Sequence, residues 1–191
     1  MKQVNNSFEE QEICVGCGFC CDGTLFDKAV LQPGEMENGE LPPRIAENYF
    51  KTDKGEWFSL PCHYFNGKCS IYKEKKAHVC SAYRCKLLHK FSWGKISKQQ
   101  ALQIITDSKK QRQEILEMAK EIWNENLTFS QLLNKLKAES LQDSTDTNNK
   151  NVQILISKVI IFNVLLTRFF KTKADFNQLV GSTVDSDAQS I

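Results

Sequence analysis

Beyond residue 97 the hydrophobic positions fall at helical intervals; before it they follow no single period. From Lys98 to Asn124 the residues Ala101, Ile104, Ile105, Ile115, Met118, Ala119 and Ile122 recur with mixed three–four spacing, which predicts one long amphipathic helix. Ser97, followed by Gln100, has the form of a capping box at its start. A second helix is expected from Ser130, with Leu132, Leu133 and Leu136 on one face. The polar stretch Leu141 to Asn151 interrupts the pattern and reads as a loop or linker. Val152 to Phe170 is apolar enough to be the central packing helix. At about 100° per residue, Gln153, Ser157, Asn163, Thr167 and Arg168 share one broad side of it, with Lys158 an outlier. These polar residues argue against a lipid-facing span.

The preceding region is punctuated rather than periodic. Gly16, Gly18 and Gly23 interrupt its start, and Pro33-Gly34 and Pro42-Pro43 are turn or breaker signals. Short strands are expected around Leu25-Phe26 and Ala29 to Leu31, and a helical turn or two between Pro43 and Phe50. Asn66-Gly67 favours a tight turn, so a strand pair is expected between its flanks, His63 to Phe65 and Cys69 to Tyr72.

Composition adds the chemistry. The 191-residue chain is 41% hydrophobic and 25% charged, with a net charge of +2, so total charge selects no partner. Its eight cysteines are Cys14, Cys17, Cys20, Cys21, Cys62, Cys69, Cys80 and Cys85, and none lies further on. The opening MKQVNNSFEEQEIC has no apolar region and reads as no secretory signal. A cytoplasmic, reducing setting follows, where disulfides are rare and an even, clustered cysteine count points to metal. The expected fold is therefore α+β and mainly α. An irregular metal-held Cys-rich half with short strands, residues 1–95, packs on a helical region, 96–171, followed by a flexible tail, 172–191.

In CVGCGFCC, Cys-x2-Cys spacing lets two thiolates reach one metal, and glycine makes the intervening turns cheap. Three cysteines at x2 intervals also match segments that wrap an iron–sulfur cube. Cys62, Cys69, Cys80 and Cys85 lack the paired knuckles of a zinc ribbon. Side chains of the adjacent Cys20 and Cys21 point apart, so the two rarely serve one ion. Two four-ligand sites, or one site with four spare thiols, both satisfy the count. An iron–sulfur cluster, with [4Fe–4S] favoured, and zinc are both compatible with these ligands.

The constellation resembles the YkgJ family of cysteine-cluster proteins, a zinc- or iron-chelating domain. The likeness rests on CVGCGFCC with the following DGTLF, on LPCHYFNGKCSIY and on VCSAYRC, and covers residues 14–85. Where that family usually carries Arg-Pro after Ile-Tyr, this chain has Lys75-Lys76. The resemblance implies metal chelation. Flagellin lysine N-methylases have a similar cysteine pattern, which makes a metal-dependent protein-modifying enzyme one alternative. A structural zinc module presenting a surface to a protein partner is another.

His63, His78 and His89 lie in the same region and are surface or neighbouring residues rather than expected ligands. Residues 62–98 carry nine Lys or Arg against one acid, Glu74. This basic run is expected to be solvated or to balance thiolate charge, ahead of binding nucleic acid. Asp22 and Asp27 have no telling partner spacing as catalytic acids. No phosphate-binding glycine loop and no Gly-x-Ser-x-Gly nucleophile motif is present.

Overall fold

The clearest local signal, the Ser97–Gln100 pair, starts the longest helix. Ser97 Oγ accepts the Gln100 N–H at 3.1 Å, and Gln100 Oε1 accepts the Ser97 N–H at 2.8 Å. A computed structural model of the chain describes residues 8–141 and 150–172. Its elements run α1 (Phe8–Cys17), β1 (Lys28–Val30), α2 (Pro43–Ala46), β2 (Tyr49–Thr52), β3 (Gly55–Ser59), α3 (His78–Ala82), α4 (Lys86–Ser92), α5 (Lys98–Trp123), α6 (Phe129–Leu141) and α7 (Lys150–Phe169). The fold is α+β and mainly helical, as the pattern predicts.

α5 ends at Asn124, whose left-handed φ of 54° closes it with an N–H bond to Lys120 O at 2.8 Å. α6 starts on a second reciprocal cap two residues earlier than expected. Thr128 Oγ1 accepts the Gln131 N–H at 3.3 Å, and Gln131 Oε1 accepts the Thr128 N–H at 2.8 Å. α7 packs on α5 through the stripe Val152, Leu155, Val159, Phe162 and Leu166. It is not buried all round: Ile154, Ile160, Ile161 and Val164 face outward. By length and composition α7 is the one described helix able to cross a membrane. The expected linker falls largely on residues 142–149 and the expected tail largely on 173–191, both outside the described residues.

The first half is more ordered than its punctuation indicates. A three-stranded antiparallel sheet has the order β1-β3-β2, with Ala29 opposite Phe58 and Phe50 opposite Trp57. The hairpin β2–β3 turns at Asp53-Lys54, not at Asn66-Gly67. Around Asn66-Gly67 the expected strand pair reduces to a single bridge, Phe65 to Cys69. Cross-strand aromatic pairs stabilise β2–β3, whereas Cys62 and Cys69 turn toward a different task. Leu25-Phe26 is not a strand; Leu25 enters the core and bonds Phe19 O through its N–H at 3.0 Å.

Two cores result. The smaller joins Leu31, Leu41, Ile45, Phe58, Ile71 and Ala77 beneath the sheet. The larger draws Ile13, Phe19, Leu25, Leu87 and Leu88 onto the helices α5, α6 and α7. Phe162 lies fully buried at its centre, edge-on to Phe19 at 6.4 Å and to Phe129 at 5.1 Å between ring centroids. Phe162→Ala is therefore expected to destabilise the protein by about 3–5 kcal/mol, read as a lower urea midpoint. A loss under about 1 kcal/mol would contradict the burial of this ring at the centre of the larger core.

Candidate metal centre

α1 delivers the first two thiols. Cys14 and Cys17 stand three residues apart on its last turn and so share a face. Gly16 lies inside this helix and serves no turn, contrary to expectation. Gly18 does: at φ 74° it ends the helix, and its N–H bonds Cys14 O at 3.2 Å. The chain then wraps tightly, with the N–H groups of Cys21 and Asp22 both bonding Gly18 O, at 2.8 and 2.9 Å. The Phe65 ring occupies the space beside Gly18, 2.4 Å from where a Cβ would stand.

This wrap is pinned from behind. Phe19 is fully buried and meets Phe170 edge-on at 5.2 Å. The Arg112 guanidinium, from α5, lies 5.3 Å from the Phe19 ring centre, pairs with Asp22 and donates to Thr24 Oγ1 at 2.9 Å. Asp22 also accepts the Thr24 N–H at 2.9 Å, so this acid is a structural anchor.

The remaining thiols arrive from distant chain. The Cys62 N–H bonds Cys21 O at 2.7 Å, which lays the middle segment against the wrap. Cys69 sits in the bridge with Phe65, Cys80 on α3, and Cys85 at the residue that caps α4. Cys14, Cys20, Cys21, Cys62, Cys69 and Cys80 all line one largely apolar cavity of about 250 Å³, walled elsewhere by residues such as Phe26, Trp57 and Tyr72. Cys80 is exposed as a residue yet contributes to the cavity wall. No two of the eight are joined in a disulfide.

Burial dominates the electrostatics. It raises the Cys14 thiol to about 11 and that of Cys80 to about 12. It also raises Cys17, Cys20, Cys21, Cys62 and Cys85 above the ordinary value of 9.0. Neighbouring thiolates add to the rise, because like charges oppose one another. Backbone N–H groups oppose it: Phe19 at Cys17, Tyr64 at Cys62, and Leu87 and Leu88 at Cys85. The Cys85 sulfur feels these amides without closing a capping hydrogen bond. From the basic run, the charges of Lys76 and Arg84 favour the Cys14 thiolate. Arg84 is itself held by buried Glu10 at 2.6 Å.

Among the described residues, no group of three or more His, Cys, Asp or Glu is gathered closely enough to hold a single metal ion. The thiols border a volume rather than converge on a point. The histidines have other partners. His63 Nδ1 bonds Asn48 Nδ2 at 2.9 Å, His78 Nδ1 bonds Gln32 Nε2 at 3.0 Å, and His89 stacks on Trp93.

Gly18→Ala is expected to destabilise the fold by more than about 1 kcal/mol, since it adds both a strained φ and a clash with Phe65; thermal denaturation would measure it. The raised thiols set a pH dependence for the metal-free chain. Above pH 9 the unfolded chain loses thiol protons that the folded chain keeps, so stability present at neutral pH is lost as pH rises toward 12. Tm in reductant and chelator should fall across that window, and a flat profile would contradict the burial. No family model, curated protein sequence or solved structure matches this chain.

Proposed function

We propose that this chain is a metal-chelating cysteine-cluster protein that binds an iron–sulfur centre, [4Fe–4S] in type, through cysteine thiolates. It serves electron transfer or holds a metal cofactor site, in a reducing compartment such as the cytoplasm. The observation that carries the reading is the cavity: six thiols border one apolar volume. Ligands of a cluster attach to different irons and so surround a space, whereas four zinc ligands meet at about 2.3 Å from one ion.

When bound, such a centre supplies one-electron redox chemistry. The chain's own residues do the rest. Trp57, Phe26 and Tyr72 wall the cavity that six of the sulfurs border, and the N–H groups of Phe19, Tyr64, Leu87 and Leu88 favour the charged form of Cys17, Cys62 and Cys85. Lys76 and Arg84 offset the negative charge gathered there. The cysteine motifs' resemblance to the YkgJ family supports the same chemistry. Because the buried thiols start protonated, metal uptake releases protons and tightens as pH rises toward 9.

Purified without oxygen, the whole chain is expected to be coloured, to contain iron and acid-labile sulfide in roughly equal amounts, and to bleach with dithionite. A colourless chain with stoichiometric zinc and no sulfide would overturn the proposal.

A further inference from the structure

Six thiols border one cavity and two, Cys17 and Cys85, do not, which leaves open how the eight divide. Two features of the packing divide them, and a third is consistent with that division. The first is the core each thiol leans on. Cys85 belongs to the larger core, and Cys14, Cys17 and Cys20 pack against it. Cys62 and Cys69 pack against the smaller core beneath the sheet. Cys80 follows Val79, which packs there too, and its N–H bonds Ala77 O of that core at 3.0 Å.

The second is the path of the wrap. Cys20 and Cys21 are consecutive, yet only Cys20 packs against the larger core. Cys20 turns to the larger core, while the backbone of Cys21 bonds that of Cys62. The third is the cavity wall. Cys21, Cys62, Cys69 and Cys80 all line it, whereas Cys17 and Cys85 do not. Cys14 and Cys20 touch both the wall and the larger core.

We infer that the chain holds two separate four-thiolate metal sites, one of Cys14, Cys17, Cys20 and Cys85 against the helical core and one of Cys21, Cys62, Cys69 and Cys80 around the cavity. The inference rests on the reading that these thiols ligate metal, and it adds which thiol serves which centre. Each set joins the start of the chain to later parts of it. The first ties α1 to the start of α4; the second ties the wrap to the bridge and α3. The peptide bond between Cys20 and Cys21 makes the two sites neighbours.

The test loads the full-length chain anaerobically with ferrous iron and sulfide. The wild type is expected to hold about eight irons, two clusters of four. Cys17→Ala with Cys85→Ala, and separately Cys62→Ala with Cys80→Ala, should each retain about half of that iron. Cys17→Ala with Cys62→Ala should retain almost none, with helix content by circular dichroism unchanged throughout.

One pair abolishing all the iron while the other loses none would mean a single site and overturn the division. Either within-set pair abolishing all the iron would mean one joint assembly and overturn it equally. A wild type that takes up no metal would overturn the underlying chelation reading itself. Should a variant fail to fold, wild-type protein loaded to half capacity and alkylated with iodoacetamide decides the matter. Protected thiols should fall wholly within one set or the other; protected groups mixed across the sets would refute the inference.

Discussion

The burial of one ring, Phe19, governs how the rest of the molecule is arranged. It lies between Cys17 and Cys20, is fully excluded from solvent, and packs edge-on to Phe162 and Phe170 with the Arg112 guanidinium at its face. Cys17 and Cys20, on either side of it, pack against the same helical core. The ring's burial in the helical core fixes the turn's orientation and directs Cys21 away, toward the cavity side. Aromatic burial of this size is worth several kcal/mol, about as much as a marginally stable domain can spare.

The two halves therefore depend on each other unequally. The helices α5, α6 and α7 take shape from local signals: reciprocal caps, an Asn stop and three–four apolar stripes. The first half has strands of three to five residues and helices mostly shorter than a stable isolated helix. It is held by long-range contacts instead: Arg112 to Asp22, Phe19 to α7, and Cys62 to Cys21. Closing the loop of about forty residues between Cys21 and Cys62 costs entropy that a shared metal centre would help to offset.

Burial without charge explains the state of the thiols. Seven of them are driven toward the protonated form because an apolar wall solvates a thiolate poorly. The same wall strengthens each N–H and cation that faces a sulfur. Such a pocket is a poor place for free thiolates and a good one for thiolates whose charge a metal shares.

Much of the helical half was legible in the chain: Ser97-x-x-Gln100 and the stripe through Ala101 and Ile105 appear as predicted. Asn66-Gly67 carries only a bridge, because a turn dipeptide specifies a reversal but not the strands beside it, and β2–β3 has no such local signal because its turn, Asp53-Lys54, lacks the favoured glycine pair. The Cys14-x2-Cys17 spacing suits a turn and a helical face alike, and α1 makes it a helical face. The sequence alone determined the number, kind and spacing of the thiols and the helices behind them, because these follow from residue type and local period. Only the tertiary structure decided which thiols face one another. That depends on segments tens of residues apart meeting across two cores, and on the peptide bond at which Cys20 and Cys21 part, which no local pattern encodes.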